Sequence, residues 1–200
     1  MENSSLIDLI YVNEKSISRE LCGDIITLFE QSEHHDGTTL NGLNKNVKDT
    51  TELIIQPDDP NWTKIHKLLI KELRNNVEDY YNNTPSVFNK NWSLFDTKSL
   101  FLDSSMQIQK YRANIGKYKY HVDELIDFTK KIVRRITFMW YLNDVEEGGE
   151  TEFFTKYNIT PKAGKMVLFP ASWVFPHTGK IPISNDKYII TGWLYQNIRS

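Results

Sequence analysis

The sequence predicts a mainly β fold in which two N-terminal helices buttress a curled β-sandwich or barrel. Two segments in the first part of the chain have the apolar spacing of helices, and after Ser105 the chain changes to short β-prone runs separated by turns with Gly, Pro or Asp. Ten Phe, ten Tyr and five Trp also suit strands and an aromatic-walled pocket. Helices followed by many strands are typical of a β core supported by helices.

The first helical segment is "SISRELCGDIITLFEQSE". Ser18 is a suitable N-cap, because its hydroxyl can accept a hydrogen bond from a backbone N–H of the first turn. Leu21, Ile25, Leu28 and Phe29 follow at i, i+4, i+7 and i+8. This spacing predicts an amphipathic helix with one buried face.

The second helical segment is "DDPNWTKIHKLLIKELRNNVEDYY", with Asp59 as the predicted N-cap and Pro60 in the first turn. One side of this helix carries the apolar residues Ile65, Leu69, Leu73, Val77 and Tyr80. The segment "TTELIIQ" before it predicts a short strand, whereas residues 82–104 have no clear pattern.

The later strands are predicted from the runs "MQIQKYR", "RRITFMWYL", "KMVLFP" and "KYIITGWLYQN". Between the first two runs lies "KYKYHVDE", residues 117–124. We expect this segment near a strand end at the mouth of the barrel, where ligand sites commonly form.

Composition limits the classes of protein to which the chain can belong. Its 200 residues suit one domain, and the net charge of −2 gives no overall attraction to nucleic acid or anionic membranes. The single cysteine, Cys22, excludes an internal disulfide and fits a reducing compartment. The N-terminal segment does not resemble a signal peptide, and no apolar run is long enough to span a membrane. We therefore expect a cytoplasmic protein.

The strongest chemical signal is the pair His121 and Asp123. Residues i and i+2 of a strand point to the same face, so an imidazole and a carboxylate meet at one point. His34 and His35 lie in a polar segment and His66 on the exposed side of a helix, which leaves His177 as the third candidate ligand. Two histidines and one carboxylate form the facial triad of non-haem Fe(II) oxygenases.

Lys187 lies ten residues beyond His177 and opens the last strand. Apolar Ile189 and Trp193 lie two and six residues beyond it, on the same face of the predicted strand, which favours an inward direction for its side chain. A cation there would offer a counter-charge to a bound dicarboxylate.

Four segments in this order resemble the catalytic domain of the Fe(II)/2-oxoglutarate-dependent dioxygenases, in particular the prolyl 4-hydroxylase-like branch. They are "YRANIGKYKYHVD", "RRITFMWYLNDVEEGGETEFF", "ITPKAGKMVLFP" and "HTGKIPISNDKYIITGWL". The resemblance covers about residues 105–197 and implies a double-stranded β-helix, the jelly-roll of cupin-like proteins. It also implies a single domain over residues 1–200, with 1–104 as helical support and substrate loops and 105–197 as the catalytic β core.

The resemblance carries over residue by residue. His121, Asp123 and His177 match the metal ligands, and Lys187 matches the basic residue that pairs with the distal carboxylate of 2-oxoglutarate. Among the co-substrate positions, Tyr141 matches a tyrosine that bonds the same carboxylate, Tyr111 one near the metal-chelating end, and Thr191 a pocket-lining position. Trp193 and Arg134 match positions close to the primary substrate, although Arg135 is adjacent to Arg134 and leaves the register open.

The implied activity is hydroxylation of an unactivated C–H bond, on peptidyl proline, with release of succinate and CO2. Fe(II), 2-oxoglutarate and O2 are the implied cofactors and co-substrates, with ascorbate as reductant. A peptide or protein is the expected partner, a small molecule is the alternative, and neither a membrane nor a nucleic acid is expected. Other readings are the same chemistry on another amino-acid side chain or small metabolite, a zinc hydrolase, and a non-enzymatic binding module on this fold.

Overall fold

The computed structural model describes residues 5–84, 99–102 and 106–198 of the chain. Most of residues 82–104, the segment without a clear sequence pattern, therefore lies outside the described residues. The helices are a short 3-10 helix (Leu6–Leu9), α1 (Arg19–Gln31) and α2 (Thr63–Asn83). The strands are β1 (Tyr11–Asn13), β2 (His35–Asp36), β3 (Lys48–Asp49), β4 (Thr51–Ile54), β5 (Gln107–Tyr111), β6 (Lys117–His121), β7 (Ile126–Asp127), β8 (Ile132–Tyr141), β9 (Thr151–Phe153), β10 (Tyr157–Ile159), β11 (Met166–Pro170), β12 (His177–Gly179) and β13 (Lys187–Asn197).

The first helix begins as the sequence predicts. The Ser18 hydroxyl accepts a hydrogen bond of 3.1 Å from the backbone N–H of Leu21, which satisfies a donor that the first turn leaves unpaired. Ile25 and Phe29, on the predicted apolar face, are fully buried. This face anchors α1 to the β core.

The predicted N-cap of the second helix is wrong, because α2 begins at Thr63 rather than next to Asp59. The Asp59 side chain accepts from the N–H of Asn61, and its backbone carbonyl accepts from the N–H of Trp62. Asp59 therefore closes a tight turn that precedes the helix.

Among the described residues, no helix combines the length and the apolar character needed to cross a membrane.

Two antiparallel sheets form the core of the protein. The larger sheet has the order β1-β11-β8-β13-β5-β4-β2, with β7 paired to β8, and the smaller has the order β10-β9-β12-β6-β3. From β5 to β13 the chain passes repeatedly between them: β5, β8, β11 and β13 belong to the larger sheet, and β6, β9, β12 to the smaller. This alternation is the winding of a double-stranded β-helix, the fold that the sequence predicts.

Side-chain alternation along β8 separates two apolar clusters. Phe138 and Trp140 point toward α1 and α2, in a cluster that covers the outer face of the larger sheet. Met139 and Tyr141 point the other way, into the space between the sheets. The helices thus buttress one face of the larger sheet, and its other face lines the interior of the sandwich, where the candidate site lies.

Candidate active site

His121, Asp123 and His177 converge at one end of the sandwich. The two histidines face each other as register partners on β6 and β12, and Asp123 follows β6 by two residues. His121 Nε2 lies 3.7 Å from Asp123 Oδ1, and His177 Nε2 lies 3.6 Å from Asp123 Oδ2. One ligand atom from each residue lies within 4.8 Å of the others. The three side chains therefore offer their donor atoms to a common point.

Backbone carbonyls fix the tautomer of both imidazoles. His121 Nδ1 lies 2.8 Å from the carbonyl of Lys119, and His177 Nδ1 lies 3.0 Å from the carbonyl of Phe175. Because a carbonyl only accepts, each Nδ1 carries the hydrogen and each Nε2 keeps a free lone pair. Both lone pairs are directed at the common point, as in histidines that bind metals through Nε2.

Local electrostatics lower the pKa of two of the three donor groups, His121 and Asp123. Burial and the neighbouring His177 lower the pKa of His121 to about 4, so this imidazole is neutral at physiological pH. Burial opposes ionisation of Asp123, but the two imidazoles and the Thr137 hydroxyl, which donates a 2.8 Å hydrogen bond to Oδ2, outweigh it and lower the carboxyl pKa. A buried carboxylate flanked by two nitrogen lone pairs has the donor chemistry of a divalent metal site.

Aromatic rings hold the histidines in place. The Tyr118 ring stacks on His121, with 3.5 Å between centroids. Phe153 and Phe169 flank His177, with centroids 5.4 Å and 4.9 Å away. These contacts restrict ring rotation, so both Nε2 atoms stay directed at the common point.

Lys187 opens β13 and is 1 % exposed. Its ammonium donates a 2.9 Å hydrogen bond to the carbonyl of Gly149, whose φ of 74° favours glycine and turns that carbonyl toward the lysine. In the described part of the chain no carboxylate forms an ion pair with it, and burial lowers its pKa to about 7. A buried ammonium whose hydrogen-bond acceptor is a neutral carbonyl is suited to an anionic ligand.

One cavity of about 270 Å³ joins Lys187 to the three converging side chains. Its walls include several residues from the sequence-based prediction, namely Tyr111, His121, Asp123, Arg134, His177, Lys187, Thr191 and Trp193. An anion held by Lys187 and a cation held by the histidines and Asp123 would therefore share one enclosed space.

The two tyrosines of the prediction lie in different places. Tyr111 borders the cavity beside Lys187, and its hydroxyl donates to the side-chain carbonyl of Gln109 at 3.1 Å. Tyr141 lies behind the cavity wall, where its hydroxyl donates a 2.6 Å hydrogen bond to Thr151. Thr151 itself lines the cavity. In this structure Tyr111, rather than Tyr141, is the tyrosine next to the ammonium, and the predicted bond from Tyr141 to a ligand carboxylate stays a prediction.

Arg134, not Arg135, faces the cavity. The pairing of β8 with β13 skips Arg135, and this bulge changes which residue points inward. The Arg134 guanidinium stacks on the Trp193 ring at 3.7 Å and donates from Nε to the Tyr195 hydroxyl at 3.0 Å. Arg135 donates to Gln196 instead. Because a bulge interrupts the period of two, the sequence pattern alone left this register open.

The other histidines lie apart from this group. His34 and His35 are exposed, as expected for a polar segment. His66 is half-buried on α2 rather than on its exposed side, and its Nε2 has no hydrogen-bond partner among the described residues. None of the three belongs to the cluster of His121, Asp123 and His177.

Sequence reasoning missed several residues of the cavity. Thr137, whose hydroxyl donates to Asp123, lies on the same face of β8 as the inward-pointing Met139 and Tyr141. The alternation along β8 could have predicted that Thr137 faces the cavity. Lys48 also lines the cavity, although no sequence motif indicated it. Gly149 lies outside the cavity lining, and its carbonyl accepts a hydrogen bond from Lys187.

The comparisons with known proteins agree with this geometry. Residues 106–195 match the 2OG-Fe(II) oxygenase superfamily. A search of curated proteins found no significant match to the chain.

Solved structures of similar fold include three prolyl hydroxylases. The viral collagen prolyl hydroxylase of Paramecium bursaria Chlorella virus-1, in its 2OG complex, is 21% identical with a TM-score of 0.66, covering 94% of this chain and 96% of that one. A Pseudomonas putida prolyl-4-hydroxylase is 15% identical with a TM-score of 0.65, covering 92% and 91%. A Trichoplax adhaerens prolyl hydroxylase, in complex with a hypoxia inducible factor peptide fragment, is 15% identical with a TM-score of 0.69, covering 94% and 84%.

The matched residues contain every strand of the double-stranded β-helix from β5 to β12 and most of β13, together with all three converging side chains. At these identities the solved structures establish the fold that this chain shares with prolyl hydroxylases. Residues 106–195 thus carry the sequence pattern of the 2OG-Fe(II) oxygenase superfamily, on a fold that this chain shares with prolyl hydroxylases.

Proposed function

We propose that this protein is an Fe(II)- and 2-oxoglutarate-dependent dioxygenase that hydroxylates an unactivated C–H bond of a peptidyl proline and releases succinate and CO2. The observation that carries the proposal is the shared cavity: a buried ammonium that forms no ion pair with a carboxylate of the described residues lies in the same space as two imidazoles and one carboxylate. The family match supports the class of reaction, and the substrate is the finer part of the proposal.

The residues fit Fe(II) as the resident metal. His121 Nε2, His177 Nε2 and an Asp123 oxygen are directed at one point, and two imidazoles with one carboxylate are the ligand set typical of non-haem Fe(II) oxygenases. When bound, Fe(II) together with 2-oxoglutarate supplies the activation of dioxygen that hydroxylation requires. The protein's part is to orient the reactants and exclude water.

Lys187 is the proposed anchor of 2-oxoglutarate. Its ammonium would bind the distal carboxylate by a charge-assisted hydrogen bond, which is stronger in a buried site than in water. Tyr111 and Thr191 line the same part of the cavity, and Tyr141 would act on the carboxylate directly or through Thr151. With the distal carboxylate bound to Lys187, the keto acid group at the other end of 2-oxoglutarate would lie at the metal.

Trp193 and Arg134 are the proposed substrate contacts. The guanidinium stacked on the indole forms a flat surface at the cavity wall, and Trp193 Nε1 is buried without a hydrogen-bond partner among the described residues. A prolyl ring is compact and apolar, so it can lie against such a surface while its carbonyl accepts from Arg134 or from the indole. The peptide bound to the Trichoplax relative is consistent with a peptide partner for this chain.

The test is to incubate the protein with Fe(II), 2-oxoglutarate, ascorbate as the proposed reductant, proline-rich peptides and cell lysate. Mass spectrometry should find added oxygen on proline, in step with succinate. Asp123→Ala protein is the matched control. Oxygen found only on other side chains or on small metabolites would overturn the prolyl assignment and leave the dioxygenase class intact. Absence of succinate with every substrate would favour a zinc hydrolase or a binding module.

A further inference from the structure

A buried ion pair that plays no part in the proposed chemistry lies at the rim of the cavity. Lys48 on β3 and Glu52 on β4 are 5 % and 3 % exposed, and their charged atoms are in contact at 2.5 Å. The Glu52 carboxylate also accepts a 2.9 Å hydrogen bond from the Thr50 hydroxyl. Burial of both charges is costly unless each is fully bonded, so such a pair fixes the geometry of the groups around it.

Lys48 connects this pair to the segment above the cavity. Its ammonium donates a 3.2 Å hydrogen bond to the backbone carbonyl of Thr38. The neighbouring N–H of Gly37 donates to the carbonyl of Thr50 at 2.8 Å, which ties the same segment to β4. Thr38, Thr39 and Leu40 line the cavity together with Lys48. The ion pair therefore positions residues 38–40 relative to the metal ligands.

Two apolar side chains meet solvent at this rim. Leu40 is 79 % exposed and Val122, between His121 and Asp123, is 42 % exposed, although both line the cavity. Exposed apolar groups around a functional cavity are typical of a surface that a ligand covers. A peptide entering the cavity would remove both side chains from water.

We propose that the Lys48–Glu52 ion pair is a positioning device that holds residues 38–40 at the cavity rim, so that Leu40 and Val122 bind an apolar side chain next to the hydroxylated residue. The pair would act through Thr38 and would not touch the reacting atoms. The peptide part of this inference rests on the proposed function, whereas the positioning of the segment does not.

The test compares Lys48→Met with the double variant Lys48→Met/Glu52→Gln. The single variant leaves Glu52 buried without its counter-charge and should lower the melting temperature. The double variant removes that charge and should recover much of the loss, yet both variants lack the bond to the Thr38 carbonyl. Lys45→Met is the matched control, because Lys45 lies in the same loop but its ion pair with Asp36 is about half exposed (48% for each side chain).

Hydrogen exchange of residues 37–47 in the protein without added ligand reports on positioning alone. Exchange should rise about tenfold or more in both Lys48 variants, since a hydrogen bond to a charged donor contributes about 1.5–3 kcal/mol and each 1.4 kcal/mol is a factor of ten. The KM for a peptide substrate should rise by a similar factor while kcat falls less. In Lys45→Met neither quantity should change.

Unchanged exchange in the double variant would overturn the positioning role, whatever the enzyme's substrate proves to be. Faster exchange with an unchanged peptide KM would overturn the substrate role of the rim. Lys48 also lies 5.1 Å from the Tyr118 ring, which stacks on His121. Weaker Co²⁺ binding with unchanged exchange would therefore place the pair's action at the metal ligands and contradict the proposal. If no peptide is hydroxylated by the wild-type protein, the exchange experiment still decides the first part.

Discussion

The ammonium of Lys187 lies 4.0 Å from the centre of the Tyr111 ring, across the paired strands β13 and β5. The ring and the Gly149 carbonyl are neutral partners, so they compensate only part of the cost of burying a cation. The lysine is therefore prepared for a ligand that brings a negative charge. Two predictions depend on this arrangement.

Lys187→Met should weaken 2-oxoglutarate binding about ten- to a hundred-fold, because the variant loses one charge-assisted hydrogen bond of about 1.5–3 kcal/mol. Without ligand the same variant should be more stable than the wild type, since it no longer buries an uncompensated ammonium. Calorimetric titration and thermal unfolding measure the two effects. Lys180→Met, at a partly exposed lysine paired with Glu152, is the control, and equal affinities in both variants would remove Lys187 from the site.

The pKa of Lys187 predicts a pH dependence of opposite sign for stability and binding. Burial lowers it from 10.5 to about 7, so between these values the unfolded chain binds more protons than the folded one. The contribution of Lys187 to stability therefore rises with pH from about 7 to 10.5 in the ligand-free protein. Because the distal carboxylate needs the charged ammonium, 2-oxoglutarate affinity should fall over the same interval.

The proton uptake that accompanies this binding can be measured directly. Titrations at pH 8 in buffers of different ionisation enthalpy should give different apparent enthalpies for the wild type. Lys187→Met should remove that difference. A wild-type enthalpy that does not depend on the buffer would contradict the lowered pKa.

Divalent ions should stabilise the protein through His121, Asp123 and His177. At a free concentration of about one hundred times Kd, a ligand that binds only the folded state adds about 2.7 kcal/mol. Ni²⁺ or Co²⁺ should therefore raise the melting temperature of the wild type and leave that of His177→Ala unchanged. His35→Ala, at an exposed histidine, should respond like the wild type. A full response in His177→Ala would exclude that residue as a ligand.

Thr137→Val tests the support of Asp123 without changing the shape of the side chain. The lost 2.8 Å hydrogen bond orients the carboxylate and favours its ionised form. Removal of such a supporting contact typically weakens metal affinity about 10- to 100-fold. Competition with a chelator measures this, with Thr160→Val at an exposed threonine as the comparison.

Arg134 and Arg135 form a natural matched pair for the substrate. Arg134→Met removes the guanidinium that stacks on Trp193 in the cavity, and Arg135→Met removes one that bonds Gln196 outside it. We expect peptide kcat/KM to fall about tenfold or more in Arg134→Met, because this variant loses one hydrogen bond from a charged donor. In Arg135→Met we expect little change. A larger loss of kcat/KM in Arg135→Met than in Arg134→Met would contradict the assignment of Arg134 as the arginine that faces the cavity.

Local patterns were sufficient for much of the fold. Short β-prone runs between turn residues predicted β5, β8, β11 and β13, and Ser18 predicted the start of α1. The three converging side chains were found from one H-x-D motif and from the shortage of histidines, because strand geometry places i and i+2 on one face.

What the sequence could not predict depends on contacts between distant segments. A local exception is Asp59, whose side chain and carbonyl accept from Asn61 and Trp62 in a turn before the helix begins. The direction of Arg134 is set by a bulge that exists only in the pairing of β8 with β13. The Lys48–Glu52 ion pair is buried only because the chain folds around it beside the cavity. Neither residue belongs to a recognisable motif in its own segment.

The two ends of the cavity belong to different sheets. His121 and His177 lie on the smaller sheet, and Lys187 lies on the larger one. Since packed sheets lie about 10 Å apart, the thickness of the sandwich fixes the span between the ammonium and the candidate metal ligands. A diacid too short to bridge that span must leave one end unbound, and one too long must bend. The protein would therefore discriminate among keto acids by the number of methylene groups between their two charged ends, a selectivity that belongs to the spacing of the layers rather than to any one side chain.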